Sequence, residues 1–245
     1  ESMRFIRGVI FIVVSVQACA VLPSFEEKQE VTRWAESWIH RMIISGDGAL
    51  GTPKTAPISC LIDGKPVRDA ADDFEIDRNG MEKLDRATKR IVTHSSKSLG
   101  LAFRVECVIY DDFPAAEWTV HITNTGAQDS SILSDIFPLD MTLEPPRRGA
   151  YAVHHAKGSH NEQTDFQPFT TPLAAGAPLR PVSHGGRSSD GALPFFNVAS
   201  GNDGVIFGIG WTGQWAANIE ALPNGGAHIT AGMEKTHLRL HPGES

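Results

Sequence analysis

Leu99, Leu101, Phe103, Val105, Cys107 and Ile109 alternate without a break, which commits this stretch to a strand with one buried face. Trp118, Val120 and Ile122 repeat the pattern and stop at Asn124-Thr125-Gly126, a turn signal. Further on, Pro194 to Val198 and Val205 to Ile209 flank Gly201-Asn202-Asp203-Gly204, and Trp215 to Ile219 and Ala227 to Thr230 flank Asn224-Gly225-Gly226. Asp-Gly and Asn-Gly pairs supply the positive φ that tight hairpins need. More than ten short strands at such spacing predict an all-β protein of stacked antiparallel sheets, with no βαβ alternation and no internal repeat. One segment breaks the rule. Val31, Trp34, Ala35, Trp38, Ile39 and Met42 recur at helical spacing, so residues 26–43 predict one amphipathic helix whose tryptophans pack on the body of the protein. After Gly46-Asp47-Gly48 the period is that of strands, interrupted mainly by a loop-rich stretch from Pro145 to Gly191. Long loops in a compact sandwich are often functional.

Composition narrows the function classes. At 245 residues, 41% hydrophobic and 21% charged, the chain is long enough to bury a substantial core. Its 23 Gly and 15 Pro stay below the roughly 25–30% that marks disorder. A net charge of -7 with no basic stripe excludes nucleic acid as a partner class. At the amino terminus, Arg4 and Arg7 precede the apolar run Val9 to Val16 and then Ala18-Cys19-Ala20, the layout of a signal peptide cleaved after Ala20. Lipid attachment at Cys19 is the alternative, because Val16-Gln17-Ala18-Cys19 loosely matches a lipobox. Either route predicts export to the periplasm or the extracellular space. The expected division is 1–20 as signal peptide, 21–48 as linker and helix, and 49–245 as sandwich. Cys60 and Cys107 then remain as a disulfide pair or as two buried thiols.

Chemistry-bearing clusters are few. His154, His155 and His160 match no metal-ligand spacing and enclose Lys157, so neither a metal nor another cofactor is expected. Asp111-Asp112 and Glu117 are the carboxylates that glycosidic chemistry would need, but Asp111-Asp112-Phe113-Pro114 reads first as a turn between strands. No nucleophile elbow, phosphate loop or dinucleotide fingerprint is present. The strongest local signal is glycine-rich and aromatic. Gly185-Gly186-Arg187 leads into Leu193-Pro194-Phe195-Phe196-Asn197, and Gly210-Trp211-Thr212-Gly213-Gln214-Trp215 follows. Such tryptophans either fill an interface or stack on sugar rings.

Six ordered motifs carry a family resemblance. They are Tyr110 to Thr119, His154 to Ser159, Asp165-Phe166-Gln167-Pro168, Gly185 to Asn197, Gly210 to Ala217 and Thr236 to Glu244. Together, over residues 26–245, the chain resembles the amino-terminal region of the α-galactosidase-like glycoside hydrolases of family 36. The resemblance implies a galactose-mutarotase-like β-supersandwich ahead of a (β/α)₈ barrel. In that family two barrel aspartates act by retention, so no residue here is expected to be catalytic and this chain alone is expected to be inactive. His160-Asn161-Glu162-Gln163 departs from the cysteine-containing loop of many relatives. The expected partners are an α-galactoside or related α-glycoside and the downstream barrel, and a homo-oligomer is compatible with the sequence. Trp211, Arg187, Asp165 and His155 are the candidates for sugar or barrel contact. Two other readings stand beside this one: a mutarotase-like epimerase pairing His155 as acid with Glu117 as base, and a carbohydrate-binding lipoprotein without chemistry.

Overall fold

The computed structural model describes residues 8–16, 24–39 and 58–245; the side chains of residues 8–16, 34, 37–39 and 79 are outside that description. Strand β1 (Gly8–Val16) precedes helix α1 (Phe25–Ile39). Strands β2 (Ser59–Ile62) and β3 (Lys65–Pro66) lead through a short 3-10 segment to β4 (Glu75–Lys83), β5 (Ala87–Ser96), β6 (Leu101–Tyr110) and β7 (Ala115–Asn124). β8 (Leu133–Phe137), β9 (Leu139–Leu143), β10 (Ala152–Ala156) and β11 (Pro168–Pro172) follow. The chain continues with β12 (Phe195–Ser200), β13 (Asp203–Ile209), β14 (Trp215–Ala221), β15 (Ala227–Met233) and β16 (His237–Leu238).

All named pairings are antiparallel and fall into three sheets. The large one has nine strands in the order β11-β10-β12-β13-β1-β7-β6-β5-β4; the others run β14-β15-β9 and β16-β8-β2-β3. Their inner faces share one hydrophobic core. The expected alternation holds: Leu101, Phe103, Val105, Cys107 and Ile109 on β6, and Ala116, Trp118, Val120 and Ile122 on β7, are all buried. Trp118 reaches across the layers, its Nε1 donating to the Pro138 carbonyl at 2.7 Å. The predicted hairpins form, with Gly201 and Gly225 at φ of 62° and 88° where the turns demand it. Asp111 and Asp112 form a turn whose carboxylates pair with Lys83 and Arg86 at 2.6 Å each. They are structural rather than convergent.

Helix α1 seats Val31 and Ala35 in the core. Its Glu36 lies 3.2 Å from Arg90, whose register partner is buried Cys107, so the helix covers the inner face of the large sheet. Ser24 opens the helix with a reciprocal cap: its Oγ accepts from Glu27 N at 3.2 Å, and its own N donates to Glu27 Oε2 at 2.6 Å. The expected packing of Trp34 and Trp38, residues 40–48 and the processing site at Ala18 to Ala20 lie outside the described residues. The apolar run Val9 to Val16, expected as the core of a leader, is here a strand between β7 and β13. Cys60 and Cys107 are free and buried. Burial pushes the Cys60 thiol up to about 12 and raises that of Cys107 as well. The last segment is fastened by Asn124, whose Nδ2 donates to the carbonyls of Gln128 and Leu240 at 2.7 Å.

Candidate functional site

The stretch from Pro145 to Gly191 is not structureless. It contains the β10–β11 hairpin at one edge of the large sheet, and its tip folds back on the segment after Val182. Gly158 N donates to Gly191 O at 2.9 Å and Ser159 N to Ser189 O at 2.8 Å, clasping the two loops main chain to main chain. Glycine is required at the clasp. A Cβ on Gly158 would sit 2.2 Å from Ser189 O, and one on Gly191, whose φ is 84°, would sit 2.3 Å from the His184 ring. Gly158→Ala is therefore expected to part the loops and to raise amide exchange at Ser159 and Gly158 by more than tenfold. Hydrogen exchange measures this; unchanged protection would mean the loops are held from elsewhere.

Inside the clasp, Asp190 is 5% exposed. Its carboxylate pairs with Arg187 and lies 2.8 Å from His160 Nδ1, while His160 and His184 stack with centroids 6.5 Å apart. Asp165 closes the hairpin tip. Its carboxylate accepts from His160 N at 2.9 Å, Asn161 N at 2.9 Å and Ser159 Oγ at 2.7 Å. The bond from the His160 amide leads in holding this carboxyl below its usual range, with Ser159 next. Most of its acceptor capacity is thus spent within the loop.

The next segment packs against the same clasp. Trp215 is fully buried, with Nε1 donating to Ser188 O at 2.7 Å and its amide to Ser183 Oγ at 2.9 Å. Trp211 is half-buried against the rim of the core, its indole lying over Gly213 so closely that a Cβ there would be 2.7 Å from Nε1. The bend at Gly213 separates the two rings, one in the core and one at its margin. Gln214 Oε1 accepts from Gly186 N at 3.3 Å, and its amide binds Glu234, itself 3.2 Å from Arg180.

These contacts show what the four sequence candidates share. Arg187, 69% exposed at its side chain, belongs to the loop that bridges the Asp165 hairpin tip and the Trp211–Trp215 segment. His155, on β10, faces the inner side at the sheet edge, its Nε2 3.0 Å from Thr171 Oγ1 and its ring stacked on Phe169. Burial lowers its pKa below the ordinary imidazole value. No side chain of the four bonds to another of them; the loop network joins Asp165, Arg187 and the segment of Trp211, while His155 bonds to Thr171 and stacks on Phe169 at the sheet edge.

Sequence reasoning missed Asp190, the buried anion on which the cluster is built, because nothing in Ser188-Ser189-Asp190-Gly191 distinguishes it from a turn acid. It also passed over Phe169, which is exposed at this edge as are Phe166 and Phe195 of the ordered motifs. The pairing of His155 with Glu117 is overturned. β10 and β7 are four steps apart in the sheet, roughly 19 Å at the usual strand spacing. Register also sets them on opposite faces: His154, Asn197, Ile206, Val13 and Ala115 align, and Glu117 shares that face while His155 does not. An acid and a base so placed cannot act on one sugar ring.

The chain matches the glycosyl hydrolase family 36 N-terminal domain over residues 28–241. It belongs to that family. As a family 36 N-terminal domain it is similar in fold to the GH36 α-galactosidase AgaA of Geobacillus stearothermophilus, with a TM-score of 0.57 and 17% identity over 80% of this chain and 29% of that one. The α-galactosidase of Lactobacillus brevis gives a TM-score of 0.55 and 16% identity over 94% of this chain and 32% of that one. AgaA variants have been solved with stachyose and with raffinose. The family 36 domain thus spans about a third or less of the solved proteins it resembles. No curated protein matches the chain.

Proposed function

We propose that this domain is the non-catalytic amino-terminal module of an exported α-galactosidase-like hydrolase, docking on a catalytic barrel of the same polypeptide and forming one wall of its sugar pocket. The observation that carries this reading is the clasped loop cluster. Its interior is rigidly bonded around Asp190, yet it leaves Arg187 exposed and the Trp211 indole at the core margin. A guanidinium has five N–H donors, and Asp190 engages one of its nitrogens, so donors remain for sugar hydroxyls or a barrel carboxylate. A half-covered indole offers a flat apolar face to the same neighbour. Phe166, 57% exposed at the hairpin tip, extends the apolar part of this surface. The solved relatives are α-galactosidases of which this chain covers 29% and 32%, and they support the substrate class.

Kinetics of the intact enzyme test the proposal. Arg187→Ala and Trp211→Ala are each expected to raise KM for a galactoside about tenfold or to lower the Tm of the whole enzyme; Arg187→Ala also lowers the Tm of the isolated domain, because it takes the guanidinium from the buried Asp190. A tenfold change is about 1.4 kcal/mol, the scale of one lost charged hydrogen bond or stacked ring. Unaltered KM and unaltered Tm in both variants of the intact enzyme would remove this loop cluster from the interface.

A further inference from the structure

β1 lies between two strands that are not paired with each other. Residues Gly8 to Val13 pair with β7 from Val120 to Ala115, and Ile10 to Val16 pair with β13 from Ile209 to Asp203. Without it the nine-stranded sheet becomes two four-stranded pieces, β11-β10-β12-β13 and β7-β6-β5-β4, whose edges face each other across one strand width. The exposed edges would lie beside the most buried part of the core, since Trp118 and Phe207 on the flanking strands are 0% exposed. Unpaired main-chain groups at such a place are costly, and a facing pair of edges is a ready template for an extended segment.

We propose that the space between β7 and β13 is a strand-binding site, and that the chain's own Gly8–Val16 is its permanent occupant. The segment suits the site. It is almost entirely Val, Ile and Phe, with six β-branched residues at Val9, Ile10, Ile12, Val13, Val14 and Val16 and no proline. Register brings Ile10 and Ile12 level with Trp118 and Ala116, two buried positions. The run that has the layout of a leader therefore meets the requirements of a central strand equally well. A segment held in the folded body as β1 is one not removed with a leader, so this proposal and a cut after Ala20 during export are alternatives.

The test uses the full chain with a specific protease sequence inserted within residues 17–23, cut under native conditions. The expected result is that the amino-terminal peptide co-elutes with the body at one to one and leaves only in denaturant. Val13→Pro, which puts a ring where Val13 is paired on both sides with Ile206 and Ala115, is expected to release the peptide and lower Tm by on the order of 10 °C. Separation of the unsubstituted peptide under native conditions, with the body keeping its Tm and its amide protection at 115–120 and 203–209, would overturn the proposal. Where Val13→Pro yields no folded protein, the unsubstituted nicked chain decides alone.

Discussion

Trp215→Ala is expected to lower the melting temperature of the isolated domain by about 10 °C or more, and Trp211→Ala by much less. Trp215 is fully enclosed, and its indole N–H and its main-chain N–H are both bonded to the loop of Ser183 and Ser188. Removing the ring leaves a cavity in the core and strands the Ser188 carbonyl; truncating a buried Trp costs about 3–5 kcal/mol. For a domain of this size each kcal/mol moves Tm by about 2–4 °C. Trp211 is only partly covered and packs at the rim of the same core, so its truncation removes contact area without opening a closed cavity. Thermal melts of both variants compare them directly. Equal destabilisation would make Trp211 a core residue and withdraw it from the docking surface.

His94→Leu is expected to stabilise the domain by about 1–2 kcal/mol at pH 7 and to abolish much of its acid sensitivity. His94 sits on β5 in register with Ile76 and Phe103, fully buried, and neither ring nitrogen has a hydrogen-bond partner among the described residues. A buried polar group left unsatisfied carries its full desolvation cost, which an apolar side chain of similar volume removes. Burial, aided by the nearby charge of Arg78, pushes the imidazole pKa down to about 4 from the usual 6.5. The unfolded chain therefore takes up this proton first as pH falls. Above pH 6.5 His94 is neutral in both states and contributes nothing to pH dependence. Between pH 6.5 and 4 it progressively destabilises the fold, by about 3 kcal/mol once below 4. Denaturant titrations at pH 7 and pH 4 should show that loss in the native chain and a correspondingly smaller loss in His94→Leu. Identical pH dependence in the two would mean that His94 is solvated or paired in solution.

The same residue explains why parts of the fold were hidden in the sequence. β6 and β7 were legible because their inward positions are uniformly apolar, from Leu101 to Ile109 and from Ala116 to Ile122. β5 places Val92, His94 and Ser96 inward, so two of its three consecutive core positions are polar and the alternation vanishes into Thr93-His94-Ser95-Ser96. β4 is disguised differently. It is an edge strand whose register shifts between Asp77 and Gly80, and the bulge breaks the period of two. At the other edge, β11 begins and ends with proline and is mostly exposed, which suits an edge and looks like loop. Hairpins with glycine at positive φ were readable because that backbone demand is local.

The candidate site divides along the same line. Trp211 was found by its place in a glycine-rich aromatic motif, and its position at the core margin, apart from buried Trp215, came from the fold. Asp165 and Arg187 were found by their place in ordered motifs, but their duties came from the fold: one knots the hairpin tip and the other is held out by Asp190. No spacing in the chain joins residues 158–165 to residues 184–191, because the clasp between them is made by main-chain groups. His155 and Glu117 show the opposite error. They suit one another chemically, and sheet order keeps them apart.

The central proposal is that this domain supports and shapes a catalytic site without supplying its chemistry. The most direct measurement is turnover of an aryl α-galactoside by the purified 245-residue chain beside a longer polypeptide carrying the proposed barrel. The account predicts hydrolysis by the longer protein and a rate indistinguishable from the enzyme-free blank for this chain. Turnover by this chain that survives repurification and is lost on substituting one of its own carboxylates would contradict it.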